Sequence, residues 1–113
     1  MASIYHLTPA ARWQAWSPSM PYLPAEYDDE GFVHCTAGDA LMLEVANRFY
    51  RDVPGDFVLL VIDPDRLTSP LKWEPPEDGP APLFPHIYGP IDAKAIVEVR
   101  PVQRGADGTF LGW

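Results

Sequence analysis

The sequence predicts an α+β fold with a mixed or antiparallel sheet. Two observations carry that expectation: strand-like apolar segments outnumber helical ones, and most follow one another without a helical crossover. Size supplies the third. With 113 residues, 47% of them hydrophobic, and with four Trp, five Tyr and five Phe, the chain builds one packed core in one domain, residues 1–113. The fourteen prolines fall between the apolar runs, where they stiffen connections.

Ser3 to Leu7 reads as the first strand. Thr8-Pro9 then opens a helix, with Thr as the cap and Pro suited to the first helical position. It runs through Ala10, Ala11, Trp13 and Trp16 and ends near Ser17-Pro18. Tyr22 to Asp29 is an irregular link, acidic and aromatic. Gly31 to Cys35 is a second strand, with Phe32 and His34 on one face and Val33 and Cys35 on the other. Thr36 caps the second main helix, Asp39 serving as the acidic partner of the cap. Leu41, Val45 and Phe49, with Met42 and Ala46, repeat there at helical spacing, and Pro54-Gly55 ends the run.

Phe57 to Ile62 is continuously apolar and fits a strand buried on both faces. Asp63-Pro64-Asp65 turns the chain. Leu71 to Glu74 is a short strand, followed by a Pro-rich loop from Pro75 to Pro82. Phe84 to Tyr88 is a further strand, and Pro85 within it implies an edge, a bulge or a strand start. Lys94 to Val102 alternates as the last long strand, and Thr109 to Trp113 adds a short one.

Sixteen acidic residues against eight Lys and Arg give a net charge of −8. Such a surface repels a phosphate backbone, so nucleic acid is not an expected partner. A small anionic ligand is still compatible, since one or two Arg and some backbone N–H groups suffice for it. Cys35 stands alone, which excludes an intrachain disulfide. Met1-Ala2-Ser3 leads straight into a strand pattern, and the longest apolar stretch is far shorter than a membrane span. The expectation is a soluble cytoplasmic protein without a membrane partner.

All three histidines sit in apolar, strand-like segments: His6 in Ile4-Tyr5-His6-Leu7, His34 in Gly31-Phe32-Val33-His34-Cys35-Thr36, His86 in Phe84-Pro85-His86-Ile87-Tyr88. Burying imidazole costs free energy unless its nitrogens find partners. Singly, each reads equally well as a hydrogen-bonded core residue; together they point to one polar site between strands. His34 and Thr36 project the same way from a strand, and so do His86 and Tyr88. Glu74, at the end of a short strand beside Trp73, is a candidate carboxylate, with a solvated loop-edge role as the alternative. Arg48 can reach an anionic group or make an ordinary surface ion pair. Tyr22 is a candidate ring to cover a ligand, while Trp13, Trp16 and Trp73 read as packing residues.

Other chemistries fit less well. The donor types for zinc exist in His6, His34, His86 and Cys35, but metal-ligand spacing is lacking and Cys35 should face away from His34. No metal is expected. Cys35 reads as a small apolar packing residue, not a nucleophile. Ser3, Ser17, Ser19 and Ser69 lack the elbow of a serine hydrolase.

The segments Ile4-Tyr5-His6-Leu7-Thr8, Gly31-Phe32-Val33-His34-Cys35-Thr36, Asn47-Arg48-Phe49-Tyr50, Val58 to Asp63, Glu74 and Phe84 to Pro90 resemble the small bacterial family called domain of unknown function 952, from Ile4 to about Val102. A more distant resemblance links Tyr-His-Leu-Thr, then Val-His-Cys-Thr, then a buried strand ending in Asp to ADP-ribosyltransferase-like proteins, the RNA 2′-phosphotransferase branch above all. It implies a split β-sheet core with two main helices and a cleft for NAD or an ADP-ribose-like nucleotide. It further implies that His6 contacts the adenosine ribose, that His34 and Thr36 lie by the second ribose and the nicotinamide, and that His86 and Tyr88 line the cleft. The arginines that hold RNA phosphates in that branch have no clear counterparts here beyond Arg48. His34, Glu74 and His86 would then carry transfer or cleavage at the anomeric carbon. The chain departs from the pattern where a late glutamate is expected: only Glu74 or Glu98 can serve, and neither sits in a motif. A non-catalytic small-molecule binding module on the same fold is the alternative.

Overall fold

A computed structural model describes residues 2–113. Strand β1 (Ile4–Pro9) leads into helix α1 (Ala10–Ala15); a four-residue helix α2 (Tyr27–Glu30) precedes β2 (Val33–His34), and α3 (Asp39–Phe49) follows. Then come β3 (Phe57–Ile62), β4 (Leu71–Glu74), β5 (Phe84–Ile87), β6 (Ile96–Pro101), β7 (Gln103–Arg104) and β8 (Phe110–Gly112). The strand pairings are antiparallel, and they divide into a sheet of order β1-β3-β6, a sheet of order β2-β5-β4 and a small β7-β8 hairpin. The chain is thus a small α+β fold with antiparallel sheets and few helices.

Strand β3 earns its central place by composition. Leu60 and Ile62 enter a cluster with Ile4, Tyr22, Val33, Cys35, Ile87, Ile91 and Ala95 that lies between the two sheets. Phe57 and Leu59 join Leu7, Met42, Ala46 and Phe110 on the opposite side, under α3 and β8. A run apolar at every position suits a strand covered on both faces. Arg104 closes the far end. Its guanidinium donates to the carbonyls of Arg51, Val53, Gly55 and Gly108 and lies 4.3 Å from the Phe110 ring centroid, which ties the exit of α3 to the hairpin.

Several local expectations are corrected. Thr8 does not cap a helix: it pairs with Val58, so β1 continues to Pro9, and its hydroxyl meets the Tyr22 hydroxyl. Thr36 does not cap α3 either. It exchanges both backbone hydrogen bonds with Tyr5, and the helix begins only after Gly38, with no side-chain cap. Phe49 lies outside the apolar stripe of α3 at 62% exposure, while Met42 and Ala46 are buried. Pro85 is neither on an edge nor at the start of its strand: it is second in the middle strand of its sheet, paired with Trp73, and lies where the pairing of β2 gives out.

Tyr22 belongs to the core and covers no ligand. It is wholly buried, exchanges backbone hydrogen bonds with Ile91, and takes the edges of Trp13 and Trp16, each ring 5.2 Å from its own. Removing its hydroxyl strands that of Thr8 in an apolar setting. We expect Tyr22→Phe to lose about 1–3 kcal/mol, read as a lower urea midpoint; an unchanged midpoint refutes this account of the pair.

Candidate functional site

The register of the second sheet decides which side chains meet. Residues directly opposite in an antiparallel pair share a face. His34 stands opposite His86, and His86 opposite Lys72; two residues along, and so on the same face, Glu74 stands opposite Phe84. Phe32 and Tyr88 lie two residues beyond His34 and His86, so they project to the same side. The reverse side carries Val33 and Ile87 into the core, together with Cys35 just past β2. One side of this sheet is therefore largely apolar, with Trp73 half-exposed at its end, and the other carries imidazoles, aromatic rings and a carboxylate, the His86 ring being buried among them.

Contacts join these outward groups. His86 Nδ1 lies 2.8 Å from Glu74 Oε1, and the Tyr88 hydroxyl donates to the same oxygen. An ionised carboxylate only accepts, so Nδ1 carries the hydrogen and Nε2 of the neutral ring is left as an acceptor. The Tyr88 hydroxyl, and after it His86, hold the Glu74 carboxyl below the usual carboxylate range; the same bond to Glu74 raises the Tyr88 phenol. Phe32 stacks on His86 with centroids 4.2 Å apart and planes at 25°, and its ring lies 4.6 Å from His34 and 5.3 Å from Tyr88. The two imidazoles meet edge to face at 5.3 Å. Glu30 Oε2 is 3.6 Å from His34 Nε2, and the Lys72 ammonium sits over the Tyr88 ring, 4.8 Å from its centroid.

Two glycines shape the margins. Gly31 ends α2 in the left-handed region, at φ 82°, and turns the chain into Phe32. Gly89, at φ 151°, lies against Ser69 just after Tyr88, where any Cβ would collide with the Ser69 side chain. Each lets the backbone change course one residue from a ring of the site.

The seven residues singled out from the sequence divide in two. His34, Glu74, His86 and Tyr88 come together. His6, Thr36 and Arg48 do not. His6 is 1% exposed and lies behind the sheet, where its Nδ1–H donates to the His34 carbonyl at 2.7 Å. A carbonyl only accepts, so Nε2 is the bare nitrogen, and among the described residues it has no hydrogen-bond partner. Thr36 is buried against β1. Arg48 makes an exposed ion pair with Asp78 of the Pro-rich loop and none of the contacts that join the groups of this face. The common hollow expected for all three imidazoles is thus a face shared by two, with the third ring bracing the strand from within. Glu98, the alternative carboxylate, is engaged by Arg100 on the exposed β6. Cys35 points to the core, and burial pushes its thiol up, as befits a packing residue.

Phe32 and Lys72 were missed as site residues. The Phe32–His34 alternation held a signal, but the partner strands did not declare themselves in sequence. Chemically, the face offers a fixed anion, an imidazole acceptor oriented by it, and ring surfaces. Two open depressions, of about 450 and 300 Å³, lie elsewhere: one around Arg51, Gly55, Arg104 and Gly108, the other around Asp39, Leu43, Arg100 and Trp113. No helix among the described residues is long and apolar enough to cross a membrane.

A family described as protein of unknown function (DUF952) matches residues 7–99. Two crystal structures of the protein CC0527 from Caulobacter crescentus, one of them a double mutant, superpose with TM-scores of 0.81 at 29% and 28% identity, each covering 97% of this chain and 94% of that one. A solution structure of the same protein gives a TM-score of 0.74 at 29% identity, over 96% of this chain and 90% of that one. No curated protein matches. These likenesses bear on fold and family, and none of them names a ligand.

The buried His6 makes a pH-dependent contribution. Burial lowers its pKa below the ordinary 6.5, so the unfolded chain binds the proton more readily than the folded one. Its contribution is therefore complete above about pH 6.5 and falls away as the pH drops through that value. The depressed carboxylates, Glu74 among them, act only nearer pH 4, in the range of their own unfolded values. We expect the urea midpoint to decline between about pH 7 and pH 5, and His6→Asn, whose amide can still donate to the His34 carbonyl, to flatten that decline. An equal slope in the variant would exclude His6 as its source.

Proposed function

We propose, for a chain that belongs to the DUF952 family of proteins of unknown function, that the face built by Phe32, His34, Glu74, His86 and Tyr88 binds NAD or an ADP-ribose-like nucleotide and acts at its anomeric carbon. The observation that carries the reading is the Glu74 carboxylate, kept ionised by Tyr88 and His86, beside an imidazole whose Nε2 is an uncommitted acceptor. The resemblance of the Tyr-His-Leu-Thr and Val-His-Cys-Thr segments to ADP-ribosyltransferase-like proteins supports it, as does the division of the strands into two sheets.

The chemistry asked of each residue is specific. As the glycosidic C–N bond breaks, its electron pair leaves on the ring nitrogen and positive charge develops on the sugar. The fixed Glu74 anion stabilises that charge. Water or an acceptor hydroxyl then bonds to the anomeric carbon and releases a proton to His86 Nε2. His34 holds ribose hydroxyls, and Tyr88 packs against the departing ring. His6 and Thr36 serve from behind, by holding the backbone that presents His34. The fit is good for the ring and ribosyl end. For a diphosphate, the cation this face offers among the described residues is Lys72, with Arg48 already paired.

A second reading has its own observation. The face is an open sheet surface, not an enclosed cleft, which suits a binding module without turnover. Isothermal titration with NAD and ADP-ribose, paired with assays of nicotinamide release, separates the two. We expect heat with both ligands, and a loss of turnover in Glu74→Gln of about 100-fold or more with binding retained. Binding without turnover in either form selects the module; no heat with either ligand ends the nucleotide reading.

A further inference from the structure

The ligand face already holds a cation of its own. The Lys72 ammonium lies 4.8 Å from the centroid of the Tyr88 ring, and the hydroxyl of that ring is bonded to the Glu74 carboxylate. A ring face is the negative pole of the aromatic quadrupole, so it draws an ammonium towards it. Phe32 stands 5.3 Å from Tyr88 and gives a second ring at an angle of 39°. Glu30 adds a carboxylate beside His34. Around this point the fixed charges are anionic, the neutral groups are rings and imidazoles, and the chain as a whole carries −8.

We infer that Phe32, Tyr88 and Glu74 form a subsite for a planar organic cation, whose place the Lys72 side chain fills in the free protein. The inference rests on reading this face as the ligand site, and it names the part of a ligand that the face selects. Three features give the selectivity. The Tyr88 ring offers a flat guest the face that Lys72 now covers, with the Phe32 ring packed at its side. The Glu74 carboxylate supplies charge at short range. Lysine is a flexible occupant on an exposed edge strand, so a rigid cation that displaces it loses less conformational freedom on binding. An anionic group meets Glu30 and Glu74 here and gains nothing from the rings.

The test uses N-methylpyridinium as the probe and pyridine, at a pH where it is neutral, as the uncharged control. Backbone amide shifts of the labelled full chain follow both, with NAD and ADP-ribose as further arms. We expect N-methylpyridinium to shift the amides of Phe32, His34, His86 and Tyr88 and to bind more tightly than pyridine. Lys72→Ala should tighten the cation by about two- to fivefold, the range of an exposed cation–ring contact, and Phe32→Leu should weaken it by a like factor. Glu74→Gln should weaken the cation more than pyridine. Equal affinity for charged and neutral rings, shifts confined to other surfaces, or no gain from Lys72→Ala would each overturn the inference. If ADP-ribose binds this face while the cation does not, the cation subsite fails and the nucleotide reading survives. If the cation binds and neither NAD nor ADP-ribose does, the subsite is supported and the nucleotide reading is the one that falls.

Discussion

Register is the constraint on which this molecule's chemistry depends. Side chains alternate along a strand, so sliding β2 by one residue against β5 would turn His34 into the core and push the buried Val33 outward. Three contacts oppose that slip. The Cys35 N–H donates to the Pro85 carbonyl, Thr36 exchanges both backbone bonds with Tyr5, and the His6 ring takes the His34 carbonyl. The last two reach across from the first sheet, which is itself held in register over six residue pairs between β1 and β3. A long strand pair thus fixes the position of a strand of only two residues.

Much of this was legible before any coordinates. The apolar run at Phe57–Ile62, the short Leu71–Glu74 strand and the split of Phe32 and His34 from Val33 and Cys35 follow from local pattern, because alternation and burial are written residue by residue. The α+β class followed from the same patterns. The errors share one cause. Thr8 and Thr36 have the chemistry of helix caps, yet both are claimed by strand pairing with distant partners, and tertiary pairing outweighs local propensity. Of the candidate site, the sequence pattern points to His34, Glu74, His86 and Tyr88, which the fold brings together, and to His6, which faces inward from β1. Phe32 and Lys72 became visible only once the register showed what stands opposite what.

The electrostatics of the face follow from economy of charge. Two imidazoles and one tyrosine could have been placed anywhere on a polar surface. Here a single carboxylate oxygen orients one of each, which fixes a tautomer and two rotamers together. The core behind contributes the opposite quality. His6, Thr8 and Tyr22 are polar groups set among apolar ones, and each must find its partner in one geometry. Rigidity at the rear and orientation at the front are two outcomes of the same demand.

Pro85 sits in the middle strand of the sheet that bears these groups, and β2 beside it is only two residues long. Proline offers no N–H, so the ladder has a rung missing at the level where that short neighbour gives out. The first sheet is knit along its length, whereas the second hangs from few threads. Local opening is expected first where backbone pairing is thinnest, at the β2 end of the second sheet. The first sheet can then stay whole while the two-residue strand yields.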